Sequence, residues 1–177
     1  MLLGLDISTS IVGVTILDIF GEIIYTDAWD MRNKRKYGTI FEKSNHIKDR
    51  LLGLSVHFPI SDIYIEKSLQ SFRPGFSSAK TLMTLSSFNG IVSWFCYEIF
   101  KTSPEYISAA TARRLCDIRI KRGQKAKEIV LKYMLDKEDK FVVEYTRHGN
   151  PKPKFYDIAD SIVIAKAGHK LCQKKKR

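Results

Sequence analysis

The sequence predicts an α/β fold in which helices cover a mixed β-sheet. Two observations lead to this prediction. Three short apolar runs near the N-terminus are separated only by turn residues, as in an antiparallel meander. Further along the chain, short apolar runs alternate with longer segments of helical periodicity, which is typical of strands connected through helices. With 177 residues and 44% hydrophobic content, the chain can form one domain with a sizeable core.

The first three predicted strands form the meander. Residues 2–7 are an apolar run short enough for a buried strand, and residues 12–19 form a second run. Gly21 is a turn residue before a third run at residues 22–27. The connections are too short for a crossover, so neighbouring strands are expected to run antiparallel.

In the middle of the chain, helices alternate with a strand. Apolar residues recur at helical spacing over residues 40–58, and Pro59 ends this helix. The apolar run at residues 62–65 predicts a fourth strand that leads directly into Glu66. Residues 79–100 predict a long helix with very few charged side chains.

The C-terminal part continues this alternation. After Pro104, residues 106–108 predict a short fifth strand. Residues 111–116 and 124–135 predict two further helices, separated by a basic loop. The last helix is predicted over residues 157–172, after a loop that contains one glycine and two prolines.

The chain is strongly basic, with 30 Lys+Arg against 19 Asp+Glu and a formal net charge of +11. This favours an anionic partner such as nucleic acid. We expect residues 1–172 to form the folded domain and residues 173–177 to form a flexible basic tail. The uncharged stretch at residues 81–97 is too short and too polar for a membrane span. Three widely spaced cysteines and the lack of a signal-peptide pattern indicate a cytoplasmic protein.

Four isolated acidic residues stand beside apolar segments: Asp6, Glu66, Asp157 and Asp160. Each has an ordinary structural explanation, as a surface aspartate, a strand end, a helix N-cap and a helix-dipole partner. Asp157 and Asp160 are three apart, so they share one helix face, which we expect in the first turn. If all four converge, they require a cation, and carboxylate oxygens prefer Mg²⁺ or Mn²⁺. Two such ions can support phosphodiester hydrolysis.

Three motifs in this order resemble those of the RuvC-like Holliday junction resolvases, in the ribonuclease H superfamily. They are GLDIST (residues 4–9), IEK (65–67) and DIADS (157–161). The resemblance implies a ribonuclease H-like fold, with a five-stranded mixed sheet and helices on both faces. It also implies a homodimer that nicks two strands of a four-way DNA junction symmetrically. The four acids would then be the catalytic residues and would bind two Mg²⁺ ions, with Mn²⁺ as a substitute.

The resemblance also implies a catalytic lysine. Lys127 matches the lysine-bearing segment of the family best, and Lys125 comes next. The upstream lysine of the bacterial proteins has no clear counterpart here. Asp157 stands where some members have histidine. These departures suggest a divergent branch, such as a bacteriophage enzyme.

Two groups of residues are predicted to contact DNA. The basic group consists of Arg113, Arg114, Lys121, Arg122, Lys125, Lys127, Lys152 and Lys154. Such cations contact phosphates with little sequence information, although a solvated basic surface explains them equally. The second group is Phe72, Arg73 and Phe76 in the loop at residues 68–78. Its rings could stack on unpaired bases or only pack the loop onto the domain.

The long helix at residues 79–100 carries more apolar residues than one buried face requires. We therefore expect an isologous homodimer through this helix. The alternative is a central helix buried within the monomer. For function, the alternatives are a nuclease for other branched DNA, flaps or RNA·DNA hybrids, and a catalytically inactive DNA-binding architectural protein.

Overall fold

A computed structural model describes residues 1–67 and 79–175, in which a five-stranded sheet is covered by helices. The strands are β1 (Leu2–Ile7), β2 (Ile11–Leu17), β3 (Ile23–Asp30), β4 (Asp62–Glu66) and β5 (Glu105–Ile107). The helices are α1 (Ile40–His57), α2 (Ala79–Phe100), α3 (Ala109–Leu115), α4 (Ala126–Lys137) and α5 (Lys154–Lys175). Every predicted element is present, with boundaries that differ by up to three residues.

The sheet is mixed, as predicted, with strand order β3-β2-β1-β4-β5. Strands β1, β2 and β3 are paired antiparallel and form the meander. Strands β4 and β5 continue the sheet parallel to β1. Consequently β1, β3, β4 and β5 all end at the same edge of the sheet.

Helices lie on both faces of the sheet. On one face, α1 and α2 contribute Ile47, Leu51, Phe88 and Val92 to a core with the odd-numbered residues of β1. On the other face, α3, α4 and α5 form the second core. Because strand side chains alternate between faces, the even-numbered residues of β1 and β4 face α5.

The local sequence signals explain most helix ends. Thr39 and Glu42 form a capping box at the start of α1, which ends just before Phe58 and Pro59. Gly21 adopts a positive φ of 86° in the β2–β3 turn, where the Asp18 carboxylate accepts two backbone N–H bonds. Among the described residues, no helix has both the length and the apolar character needed to cross a bilayer.

Helix α5 differs from its prediction at both ends. It begins at Lys154, three residues before the predicted start, because Pro153 is well tolerated at the beginning of a helix. Asp157 therefore lies inside the first turn and is not the N-cap, and Asp160 lies in the second turn. The helix also continues to Lys175, so residues 173–175 are helical and do not form a flexible tail. Lys175 forms an ion pair with Glu105 at 2.6 Å.

Candidate active site

Asp6 and Glu66 lie side by side at the carboxyl ends of two neighbouring strands. The parallel register pairs Leu5 with Ile65, so the next residues on β1 and β4 are Asp6 and Glu66. Both side chains point to the α5 face, since Leu5 and Ile65 belong to the core on the other face. The sheet register alone therefore brings the first two predicted acids together.

Helix α5 brings the other two acids to Asp6 because it approaches β2 unusually closely. Gly13 is paired with Asp6, and a Cβ atom at Gly13 would stand 2.0 Å from the carbonyl oxygen of Asp157. A buried hydrogen bond of 2.8 Å joins Thr15 of β2 to Ser161 of α5. These contacts hold the start of α5 against the strand that neighbours Asp6.

Gly4 has a different role from the one that its place beside Asp6 suggests. A small residue on the same strand face as Asp6 could leave room for a ligand close to the backbone. A Cβ atom at Gly4 would instead stand 2.6 Å from the Cβ atom of Ala165. The space is filled by α5, so Gly4 serves the close packing of this helix on the sheet.

Lys127 of α4 reaches into the acidic cluster. Its Nζ atom donates a hydrogen bond of 2.9 Å to Asp157 Oδ1 and lies 3.9 Å from Asp160 Oδ2. The two carboxylate side chains are only 12% and 17% exposed, so water screens these charges poorly. Desolvation opposes the charge on Lys127, but the hydrogen bond to Asp157 and the nearby carboxylates raise its pKa on balance.

The carboxylates perturb one another strongly. Burial, followed by repulsion from Glu66, Asp160 and Asp157, raises the pKa of Asp6 well above its ordinary value. Burial and repulsion from Asp160 raise the pKa of Glu66 to about 7. Burial raises the pKa of Asp160 to about 6, even though Lys127 acts against this shift. The cluster holds more negative charge than Lys127 compensates, which is the environment expected of a cation site.

Two arginines also lie near the cluster. Arg113 of α3 lowers the pKa values of Glu66 and Asp160 by its charge, although burial outweighs it. Arg32 follows β3, and its charge interacts with that of Asp157. The sequence pattern predicts only a DNA contact for Arg113 and no role for Arg32, because closeness through space has no local signature. One feature of the chain does indicate that Arg32 lies near the site: it follows β3, whose carboxyl end lies at the same end of the sheet as that of β1.

The donor chemistry of the cluster fits a hard divalent ion. All four candidate ligands are carboxylates, which suits Mg²⁺ or Mn²⁺ and not zinc. Within residues 1–67 and 79–175, no three or more histidine, cysteine, aspartate or glutamate side chains are arranged closely enough to enclose a metal ion.

Of the other predicted DNA-contacting residues, those that the structure describes are at least partly exposed, and Arg114 lines a surface cavity with Lys170 and Lys174 near the C-terminal end of α5. Arg114, Lys121 and Arg122 are exposed in or after α3. Lys125 is exposed at the N-cap of α4 and pairs with Glu128 at 2.9 Å. Lys152 and Lys154 both pair with Glu144 at 2.6 Å. Phe72, Arg73 and Phe76 lie outside the described residues.

Comparison with solved structures confirms the predicted fold. Thermus thermophilus RuvC in complex with a Holliday junction substrate aligns with a TM-score of 0.67 and 14% identity, over 98% of this chain and 94% of that one. A second T. thermophilus RuvC structure gives 0.64 and 17%, over 98% and 96%. The yeast mitochondrial Holliday junction resolvase Ydc2 gives 0.62 and 14%, over 99% and 80%. No protein-family model and no curated protein sequence matches the chain.

Proposed function

We propose that this protein is a metal-dependent endonuclease that resolves four-way DNA junctions by paired, symmetric nicks. The observation that carries this proposal is the electrostatic interaction of Asp6 with Glu66, Asp157 and Asp160, together with the contacts of Lys127 to two of these acids. Carboxylates with raised pKa values at the edge of a strongly basic chain suit a cation and a phosphodiester substrate together. The similar fold of RuvC, solved in complex with a Holliday junction substrate, and of the Holliday junction resolvase Ydc2 supports the choice of substrate.

Each residue has a role in this proposal. The four carboxylates would hold two Mg²⁺ ions, or Mn²⁺ in their place. When bound, these ions supply Lewis-acid activation of water and neutralise the charge that develops on the phosphodiester. Lys127 orients Asp157 and Asp160 through its contacts with both carboxylates, and its ammonium group is available to a phosphate oxygen once it leaves these acids. Arg113 adds a second positive charge on the side of Glu66 and Asp160.

The exposed basic residues after β5 would bind the DNA backbone. Arg114, Lys121 and Arg122 form no ion pair with any residue in the described part of the chain, so their charges are available to phosphates. Lys152 and Lys154 would exchange their pairing with Glu144 for phosphate contacts. Phe72, Arg73 and Phe76 would contact unpaired bases at the junction centre.

A homodimer through α2 would supply the two active sites that paired nicking requires. One face of α2 is buried on the sheet through Phe88 and Val92. The opposite face exposes Met83, Trp94 and Tyr97, with 71%, 59% and 46% of their surfaces accessible. Aromatic residues and methionine are enriched at the centres of protein interfaces, so this face suits an isologous contact.

The proposal is tested by cleavage of end-labelled substrates. A four-way junction, a flap, a linear duplex and an RNA·DNA hybrid are incubated with the wild type in Mg²⁺ or EDTA. The same substrates are given to Asp6→Asn and to a matched control, Asp136→Asn, which changes an exposed aspartate on α4. We expect symmetric nicks restricted to the junction, which require Mg²⁺ and are lost in Asp6→Asn but not in Asp136→Asn.

The other outcomes would each contradict the proposal in a different way. Metal-dependent cutting of flaps, linear duplex or hybrid would retain the nuclease and refute the junction specificity. Junction binding without cutting in any divalent metal would favour the architectural protein. Equal cutting by Asp6→Asn and the wild type would remove Asp6 from catalysis.

A further inference from the structure

A second basic surface follows the edge strand β3, on the other side of the sheet from the basic residues that directly follow β5. It is a turn directly after β3, residues 32–36, with the sequence RNKRK, here termed the basic turn. Strands β3 and β5 are the two outermost strands of the sheet. Both run in the same direction as β1 and β4, so their carboxyl ends lie at the same end of the sheet as Asp6 and Glu66. The predicted basic residues follow β5, whereas the basic turn follows β3.

The basic turn is a defined structure and not a loose connection. Met31 before it and Tyr37 after it are both buried, and the Met31 backbone N–H donates to the Ser10 carbonyl oxygen at 2.8 Å. The Asn33 side chain accepts the Arg35 backbone N–H at 3.0 Å, and the Asn33 carbonyl oxygen accepts the Tyr37 N–H at 2.8 Å. The chain conformation is therefore fixed at both ends and at its centre.

The charges of this turn are left uncompensated. Lys34, Arg35 and Lys36 are exposed, and none forms an ion pair with a residue in the ranges 1–67 and 79–175. The nearest acids along the chain are already engaged, since Asp30 binds Arg32 and Glu42 completes the capping box of α1. Three cations without an ion pair to a described residue, held in one turn, form a concentrated positive surface, and Lys36 also lies over the Tyr37 ring at 5.1 Å.

The distance from this turn to the carboxylates suits one DNA strand. Strand β3 is two strands away from β1, which separates it from Asp6 by on the order of 10 Å across the sheet. Asp6 pairs with Gly13 and Gly13 with Ala28, so the turn also begins beyond the level of Asp6 along the strand direction. Successive phosphates of one strand are separated by about 3.4 Å along the helix axis, so the separation corresponds to at least about three nucleotides. Arg32, at the near end of the turn, lies close enough to Asp157 for their charges to interact.

We propose that the basic turn binds backbone phosphates of the substrate DNA at least about three nucleotides from the cleaved phosphodiester, on the β3 side of the site. This inference rests on the proposed function, because it assumes that the carboxylates receive a DNA strand. The strand would then be held on both sides of the site, by the residues after β5 and by the basic turn. The turn adds affinity without sequence preference.

The first test measures the salt dependence of junction binding, with Asp6→Asn as the background that prevents cutting. The triple variant Lys34→Ala/Arg35→Ala/Lys36→Ala is compared with Lys132→Ala/Lys137→Ala/Lys140→Ala, which removes the same charge from exposed lysines on and after α4. A plot of the logarithm of the binding constant against the logarithm of the salt concentration has a negative slope. We expect the first variant to reduce the magnitude of this slope by about 2 to 3. The control should keep the slope of the background protein.

The second test uses the unaltered basic turn and therefore does not depend on the folding of a variant. Single methylphosphonate linkages, which lack the phosphate charge, are placed at each position up to six nucleotides on either side of the cleavage site. We expect one maximum of weakened binding at least about three nucleotides away, on one side only, and its absence in the triple variant. Equal slopes for the two triple variants, or no such maximum, would overturn the inference.

Failure of the inference is separable from failure of the proposed function. Cutting of the junction by the wild type tests the proposed function and does not require the basic turn variant. If the wild type cuts the junction and the triple variant keeps the full salt slope, only the inference is wrong. If the wild type neither cuts nor binds any branched DNA, both are wrong.

Discussion

The carboxylate cluster is expected to weaken the folded state of the metal-free protein, and replacement of one carboxylate should reverse this effect. The perturbation is Glu66→Gln, which keeps the size of the side chain and removes its charge. The pKa of Glu66 in the folded protein is about 7, against an ordinary value of 4.5. The folded protein therefore holds this proton more tightly than the unfolded chain. The stability that this group contributes is greatest below pH 4.5 and declines as the pH rises from 4.5 to 7.

The size of the effect follows from this difference in pKa. One pKa unit corresponds to about 1.4 kcal/mol, so ionisation of Glu66 costs roughly 3 kcal/mol of folding free energy at pH 8. Because Asp160 shares the repulsion, this value is an upper bound for a single substitution. For a chain of this length, roughly 3 kcal/mol corresponds to an increase in Tm of about 6–12 °C.

The assay is urea unfolding of the wild type and Glu66→Gln in EDTA, at pH 8 and at pH 4.5. We expect the variant to be more stable at pH 8 by up to roughly 3 kcal/mol, and the difference to vanish at pH 4.5. Glu22→Gln is the matched control, since Glu22 is exposed in the β2–β3 turn, and we expect a change within about 0.5 kcal/mol. Mg²⁺ should stabilise the wild type, by about 2.7 kcal/mol at 100 times its Kd, and should narrow the difference at pH 8.

Two results would refute this reasoning. If Glu66→Gln were no more stable than the wild type at pH 8 in EDTA, burial and repulsion would not disfavour the ionised form of Glu66 in the folded state. If the gain were the same at pH 4.5 and pH 8, it would arise from packing or hydrogen bonding and not from ionisation.

Three further predictions concern the packing, the charge and the assembly of the site. Gly13→Ala should destabilise the protein by about 1–3 kcal/mol in urea unfolding and reduce cutting, because its Cβ atom meets Asp157; Gly53→Ala, with open space around it on α1, should not destabilise. Lys127→Ala should lower stability in EDTA at pH 8, as measured by thermal unfolding, and addition of Mg²⁺ should restore it. If Mg²⁺ did not restore stability, Lys127 and Mg²⁺ would not compensate the same carboxylate charges. Trp94→Glu should give a monomer in sedimentation velocity at micromolar concentration without loss of folding, and a wild type that is itself monomeric would contradict the dimer.

Much of this fold and part of the candidate site could be predicted from local patterns. The apolar runs before Gly21 and before Glu66, and the helical periodicity up to Pro59, depend on residues that are neighbours along the chain. Alternation and turn chemistry act over a few residues, so the sequence alone determines which segments form strands and helices. The sequence alone also determines that Asp6 and Glu66 lie at the carboxyl ends of two strands. Helix boundaries were less certain, as the start of α5 at Lys154 demonstrates.

Only the tertiary structure decided which charges meet. The absence of side chains at Gly4 and Gly13 allows α5 to contact the sheet, and this contact places Asp157 and Asp160 beside Asp6. The proximity of Arg32 to Asp157 depends on strand order and on the shared direction of β1 and β3. Electrostatic interactions depend on distance through space and on burial, and neither quantity is encoded in spacing along the chain. The sequence therefore specified the charged groups of this site, and the packing of α5 on the sheet determined their pKa values.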